Sequence, residues 1–424
     1  KVDVVVVGAG VSGLRAALLA AESGKSVALL EKLPFVGGNA LLSAGIIQAA
    51  GTTVQEEYGI TGDSPEAFME SLIDPASPYA TDNPELTTIM HQGGRDAVND
   101  LSARGLEFVG FNDASIRWHV IAPEMRKGGP TLINLLMDEC NKAGVTTYME
   151  TAGTELIMQD GMVAGVKATN ADGEQVFYAD AVILTTGGFA SSGEMVAEYF
   201  PDLEGTRSNA GAGATGDGIR MAQAIGAAVR GMDSGIQMST ASALNNVVVG
   251  ITMNFAPAIL VNTDGDRFIP ESMNYGPAAR EIAQTEDQTA YLVFDDIIME
   301  AVPQLKDLVN RGGAVDADSI EALADAIGTA NLPATLAHYN EMAKAGEDTD
   351  LGRTTHLQEI TGSHFYAVEL YPYVYNTYGG LAIDTSAHVL DTNGQPIPRL
   401  YAAGEVTGSP EVQEGFVYTS GIAQ

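Results

Sequence analysis

The stretch DVVVVGAGVSGLRAALLAAESGKSVALLEK, residues 3–32, leaves few folds open to this chain. It predicts a strand over 3–7, a glycine turn, a helix over 12–23 and a second strand over 26–30, which together make one βαβ unit. Gly8 permits the tight turn, Gly10 lets backbone approach a pyrophosphate, and Gly13 lets the helix pack on the strand. Ser12 opens the helix whose N-terminus would face the phosphates. Glu31, 18 residues after Gly13, is placed to accept hydrogen bonds from ribose hydroxyls, with Lys32 beside it. Strand, helix and acidic residue in this order point to dinucleotide binding.

The remainder bounds the partners. At 424 residues and 45% hydrophobic content the chain can hold one large domain or two. A net charge of −34 (21 Lys and Arg against 55 Asp and Glu) argues against nucleic acid or an anionic membrane as partner. A single cysteine, Cys140, excludes an internal disulfide framework, a CxxCH haem site and a cysteine-ligated cluster within these residues. No apolar stretch reaches the roughly 20 residues that cross a bilayer. His91, His338, His356, His364 and His388 show no HxxxH or HxH pairing, so no catalytic metal is expected. The chain starts at Lys1 and stops at Gln424 as an apolar segment opens, which suggests a processed or trimmed protein. The compartment is not fixed by these features; an exported, periplasmic or cell-surface location is slightly favoured over the cytoplasm.

GGNALLSAG (37–45) follows the second strand with glycines and small polar residues that a nicotinamide domain would not need. With ADAVILTTGGF (179–189), GATGDGIRMAQAIGA (213–227), DGDRFIPES (264–272), SHFYAVEL (363–370), YGGLAIDT (378–385) and LYAAGEVTG (400–408), it resembles the flavocytochrome fumarate reductases, urocanate reductases and 3-ketosteroid dehydrogenases. The resemblance covers nearly the whole chain. It implies FAD as cofactor and an α/β fold: a Rossmann-type FAD-binding domain with an inserted α+β capping domain. The expected boundaries are 1–233 for the first part of the FAD domain, 234–376 for the cap, and 377–424 for the completion, cut at the last helix. The cofactor set it implies adds Gly38, Asn39, Ser43, Gly45, Thr154, Thr186, Gly187, Asp217, Asn376, Gly404 and Glu405. Ile422 opens a helix whose positive end would face the flavin. No histidine stands in GGNALLS where covalent relatives carry one, so the FAD is expected to be non-covalent. No second GxGxxG follows a strand, so electrons are expected from an external donor or acceptor: a quinone, a cytochrome, or a flavin or haem domain not in this chain.

The residues agree with this frame. TELIMQDGMVAGVKATNADGEQVFYADAVIL holds three extended runs divided by DG and NADG turns, which predicts a meander. Farther on, IIMEAVPQLKDLVNRGG and SIEALADAIGTANLPATLAHYNEMAKAG carry apolar residues at helical spacing.

The substrate positions differ from those of fumarate reductases. IQMST places Ser239 where they carry a histidine, and YNTYGG places Tyr375 and Asn376 where they carry paired histidines. RFIPESMNY places Tyr275, in a polar loop before a helix opening near Pro277, where they carry a proton-donating arginine. GFVYTSG stands where another arginine binds carboxylate. This pattern predicts that fumarate is not the substrate. By resemblance to 3-ketosteroid dehydrogenases, Tyr275 moves a proton, Tyr418 and Gly421 hold a carbonyl oxygen, and Tyr375 touches the substrate. The expected reaction is hydride transfer between flavin N5 and a C=C bond conjugated to a carbonyl in a bulky or aromatic molecule, as an enone or aryl-acrylate reductase or a 3-ketosteroid-type dehydrogenase. Two alternatives stand: a urocanate- or cinnamate-like carboxylate reductase using Arg126, Lys127 or Arg280, and a flavin electron carrier. Arg280 is also a rival proton donor. His119, beside the only tryptophan, reads as a half-buried structural histidine.

Overall fold

Val2–Val7 (β1) and Val27–Leu30 (β2) form the parallel centre of an eight-stranded sheet, with Val4 opposite Val27. All four residues of β2 are buried, as are Val5, Val6 and Val7. A central parallel strand is covered on both faces, which is why these segments read as continuous apolar runs. The sheet continues from β1 through Gly173–Leu184 to Pro396–Ala402, both in parallel, and is closed by the antiparallel strand His388–Leu390. On the other side, Thr146–Tyr148 pairs parallel to β2. The computed structural model of the chain describes residues 1–43, 45–73, 83–112, 115–122, 127–242 and 256–409.

Helix α1, Val11–Glu22, returns over this sheet, with Gly13, Leu14, Ala17 and Leu18 buried. Leu14 and Leu18 pack with Leu132, Ile133 and Leu136 of the helix Gly128–Lys142. Each such buried leucine contributes about 1.5–3 kcal/mol. The expected meander is present as Ala152–Gln159, Met162–Asn170 and Gly173–Leu184. Its last strand is long enough to pair twice: Phe177 lies antiparallel to Val166, while Val182 lies parallel to Val5.

The chain divides into two compact units. The first joins Lys1–Met195, Ala210–Gly235 and Asn376–Gln424; the second joins Val196–Asn209 and Ile236–Tyr375. The architecture is mixed α/β with a FAD-binding fold in the first unit. In the second, a five-stranded sheet runs in the order Gly235–Ser242, Phe365–Thr377, Ala290–Asp295, Ile259–Val261, with Val315–Ala317 paired to Phe365–Thr377. The helical spacing read in the sequence becomes Asp296–Ala301, Pro303–Asn310, Ile320–Ile327 and Leu332–Ala345. Leu305, Leu308, Leu323, Leu332 and Leu336 turn into one core with Ile259, Leu292 and Phe294.

One local expectation changes. The helix begins at Tyr275, not near Pro277, and runs Tyr275–Ala283 after Asn274. Pro277 then falls in the first turn, where its missing N–H would have had no intrahelical acceptor, so it does not delay the start. Among the described residues no helix is long and apolar enough to cross a membrane.

Candidate functional site

The fingerprint loop is built by close approach. Gly8 has φ of 103°, and a Cβ there would stand 2.4 Å from the Thr185 carbonyl oxygen. A Cβ on Gly13 would stand 1.8 Å from the Gly8 carbonyl oxygen, so side chains are shut out at both positions. Thr185 Oγ1 donates toward the carbonyls of Val7 and Gly8 at 3.0 and 2.8 Å and fastens the loop to the sheet. At Gly10 the opposite holds: nothing lies within 4 Å of where a Cβ would point. Gly10 precedes α1, and no side chain caps that helix. That end of α1 favours an anion.

A cavity inside the first unit opens over this loop, lined by Gly8, Gly10, Ser12, Glu31, Lys32 and, from farther along the chain, Gly38, Asn39, Thr186, Gly187, Asp217 and Glu405. Glu31 directly follows β2 and accepts Ala9 N–H at 2.9 Å and Leu33 N–H at 2.8 Å, one on each carboxylate oxygen. A carboxylate has about four lone-pair sites, so two remain for hydroxyl donors. Lys32 Nζ pairs with Asp217 Oδ2 at 2.6 Å, and Asp217 is the first residue of the helix Asp217–Gln223. Thr186 Oγ1 is buried on the cavity wall without a hydrogen-bond partner.

The second glycine stretch forms a short 3-10 helix, Gly38–Leu42, which turns Asn39 toward the far part of the wall. Asn39 Nδ2 donates to Glu405 Oε2 at 2.6 Å, and Asn39 Oδ1 accepts Gly211 N–H at 2.7 Å. Glu405 Oε1 accepts Thr377 N–H at 3.1 Å. Burial pushes the Glu405 carboxyl up from its ordinary value, against the pull of the Thr377, Asn39 and Gly188 donors.

Other expected residues stand behind the wall. Gly13 packs helix on strand, as above. Ser43 Oγ accepts Gly45 N–H at 3.1 Å, and Gly45 lies against the Gly128 backbone. Gly404 accepts the Thr407 N–H and hydroxyl at 2.9 and 2.7 Å, a turn that presents Glu405. Asn376 is not on the cavity wall; its Oδ1 is buried without a hydrogen-bond partner. Thr154 is a correction. It is exposed, with Oγ1 bonded to the Lys167 carbonyl at 3.2 Å, while Thr151 and Gly153 line the cavity. Alternation along a strand sends successive side chains to opposite faces, and the expected residue was one position out of phase. Thr151, Gly153 and Gly211 are cavity residues outside the quoted motifs, and Gly213 opens GATGDG without being among the expected cofactor residues.

The substrate residues are placed less fully. Tyr275 is the first residue of its helix, and its side chain lies outside the described atoms, as does that of Ser239. Tyr375 is half-buried in Phe365–Thr377, its ring 6.4 Å from that of Tyr373. Tyr418, Gly421, Ile422 and Arg126 lie outside the described residues. Arg280 falls in the last turn of the helix Tyr275–Ala283. His119 is fully buried between Thr52 Oγ1 at 2.7 Å and the Arg117 carbonyl at 3.1 Å, and burial lowers its pKa. Among the described residues no group of three or more His, Cys, Asp and Glu could hold a metal ion.

The wall fits a flavin dinucleotide: an uncapped helix N-terminus beside open space at Gly10, a carboxylate with spare acceptor sites, and an orphaned hydroxyl at Thr186. Comparison with known proteins agrees. The family model for the FAD binding domain matches residues 3–413. The fumarate reductase (cytochrome) of Shewanella frigidimarina is 36% identical over 414 residues, which cover 96% of this chain and 72% of that protein. The urocanate reductase of Eggerthella lenta is 34% identical over 437 residues, 96% of this chain and 70% of that protein. The open conformation of a flavocytochrome c3 fumarate reductase superposes with a TM-score of 0.90 at 31% identity, covering 100% of this chain and 74% of that one.

These relatives overturn one expectation. The four substituted positions do not exclude fumarate, and the expectation of an enone or aryl-acrylate reductase or a 3-ketosteroid-type dehydrogenase, which rests on that exclusion, falls with it. Identity of 36% with a fumarate reductase across 96% of the chain removes that exclusion. The physical reason is that hydroxyls, amides and backbone N–H groups also hold carboxylates, so the loss of histidine and arginine at given positions does not remove anion binding.

Proposed function

Because the chain belongs to the family of FAD-dependent fumarate reductases, urocanate reductases and 3-ketosteroid dehydrogenases, we propose that it reduces the C=C bond of an α,β-unsaturated carboxylate, fumarate foremost. The observation that carries this reading is the identity, along almost the whole chain, with a fumarate reductase. FAD, when bound, supplies the hydride that reaches the β-carbon. The chain itself has two tasks. It holds the carboxylate, a role we assign to Tyr375, Tyr418 and the Gly421 N–H. It also delivers a proton to the α-carbon, a role we assign to Tyr275. An unperturbed tyrosine has a pKa near 10 and is an acid at neutral pH, which suits reduction. Each turnover consumes two electrons, which this reading takes from an external donor such as a quinone, a cytochrome, or a flavin or haem domain.

The test is a half-reaction. The bound flavin is reduced anaerobically and its reoxidation followed with fumarate, urocanate and acrylate. Fast reoxidation by one of them is expected; intact flavin left reduced by all three would sink the reading. In the same assay Tyr275→Phe should slow reoxidation by roughly 10²-fold or more. A rate within about twofold of the parent, far short of the usual contribution of a general acid, would remove Tyr275 from the proton step.

A further inference from the structure

We propose that Asn39 and Glu405 form an amide–carboxylate lock that governs how long the chain retains FAD, with Asn39 a positioning residue acting through Glu405. The inference rests on the FAD reading of the cavity. The two residues are 366 positions apart, and their contact joins the second glycine stretch to the segment after Pro396–Ala402.

The direction of the amide is dictated by its neighbours. Gly211 N–H can only donate, so the oxygen end of Asn39 must face it, at 2.7 Å. The NH₂ end is then forced toward Glu405, at 2.6 Å. Glu405 in turn receives Thr377 N–H on its other oxygen. The knot has no slack: a Cβ on Gly211 would lie 2.9 Å from Asn39 Oδ1, and one on Gly188 would lie 2.0 Å from Thr377 Oγ1 and 2.7 Å from Glu405 Oε1. Asn39, Gly211 and Glu405 all line the cavity, so four distant segments of chain are tied together where the cofactor would sit.

Only an amide at position 39 opposite a carboxylate at position 405, or the reverse, satisfies this circuit. Asn39→Asp keeps the bond from Gly211 but sets a second carboxylate against Glu405, and the two then require a shared proton. Glu405→Gln, with asparagine kept at position 39, must turn an NH₂ group toward either Asn39 or Thr377 N–H, and one bond is lost. The double exchange restores both bonds, because the new amide donates to the new carboxylate and accepts from Thr377 N–H. The other charged groups on the wall are Glu31, Lys32 and Asp217. Glu31 is held by Ala9 and Leu33 N–H, and Lys32 and Asp217 are paired with each other. All three are common to parent and variants, so differences between them report positions 39 and 405.

The experiment follows release of FAD from the purified holoprotein by the rise in flavin fluorescence. At about pH 8, Asn39→Asp should release FAD about tenfold faster than the parent, the loss expected for one charge-assisted hydrogen bond, and the gap should close below about pH 6. Glu405→Gln should release faster at both pH values. The double variant, Asn39→Asp with Glu405→Gln, should return to within about threefold of the parent with no pH dependence of its own. If Asn39→Asp folds only at the lower pH, circular dichroism and recovery in the double variant carry the same readout. A parent without bound FAD would overturn the FAD reading itself. A parent that holds FAD, beside an Asn39→Asp variant indistinguishable from it at about pH 8 or a double variant no better than the worse single one, would overturn the lock alone.

Discussion

The two units bury polar groups in opposite ways. In the cofactor unit the residues lining the cavity face neutral groups or none: Glu31 and Glu405 take neutral N–H donors, and Thr186 Oγ1 has no partner. The inserted unit instead pairs four buried charges with one another, leaving Arg267 Nη1 without a partner. Arg267 donates to Glu271 through Nε at 2.9 Å and NH2 at 2.8 Å, and to Asp348 at 2.8 Å. Arg353 NH1 lies 3.3 Å from Glu271 and also bonds the carbonyl of Ala258. Glu271 is fully buried, and Asp348 and Arg353 are nearly so. Burial alone would raise the Asp348 carboxyl; Arg267 and the N–H groups of Leu351 and Arg353 hold it at about 2. Unfilled capacity around the cavity of the first unit marks a place for a ligand, whereas the charge cluster of the second, although Arg267 Nη1 has no partner, fixes backbone. The backbone it fixes is the segment from Arg267 to Glu271, which leads into the helix at Tyr275.

Breaking the buried charge cluster should have the largest effect. Glu271→Ala leaves Arg267 with Asp348, takes the carboxylate from Arg353 in a dry interior and removes the acceptor for Leu260 N–H. A loss of about 3–5 kcal/mol is expected, because the remaining charges keep their desolvation cost without compensation. Urea unfolding of the holoprotein checks this; a loss below about 1 kcal/mol would mean that the cluster is solvated and the contrast between the units is wrong.

The first unit was legible because its glycines report local necessities: a positive φ at Gly8 and a helix on a strand at Gly13 depend on neighbours a few residues away. The amphipathic helices of the inserted unit were legible for the same reason. Thr154 was one residue out because the phase of a strand is set by what packs on its two faces, which TELIMQ does not state. The Asn39–Glu405 contact and the Arg267–Asp348 pair span 366 and 81 residues, and no local pattern announces either. Substrate identity was misjudged for a related reason. Replaced side chains show which groups are missing from a site but leave open which other donors serve the same anion.

Within the first unit, Thr186→Val sharpens the contrast. The variant exchanges an unpartnered hydroxyl for a methyl of the same shape, so unfolding of flavin-free protein should change by less than about 1 kcal/mol. FAD release should nonetheless quicken by about three- to tenfold, since Thr186 lines the cavity. A stability loss as large as that of Glu271→Ala, with FAD release unchanged, would show that Thr186 serves the fold and not the cofactor.

The smallest effect belongs to a charged contact that reaches solvent. His364 Nε2 lies 2.7 Å from Asp316 Oδ2 and Nδ1 lies 2.9 Å from Asp318 Oδ1. Carboxylates only accept, so both contacts are hydrogen bonds only when the ring is doubly protonated. Hydrogen bonding to Asp316, with that to Asp318, raises the His364 pKa above its ordinary value against the opposing effect of burial. The other groups facing it are Asp296, which accepts its backbone N–H, and the Tyr366 ring at 5.1 Å. A raised folded pKa means the imidazolium stabilises the folded state fully below the unfolded value of about 6.5, and that this contribution disappears as pH rises through the folded value. Melting temperature should therefore fall over that interval more steeply in the parent than in His364→Gln, the difference shrinking in high salt because the pair is exposed. Parallel melting curves for the two proteins from acid to alkaline pH would show that surface charge in the inserted unit, unlike its buried circuit, contributes nothing to its stability.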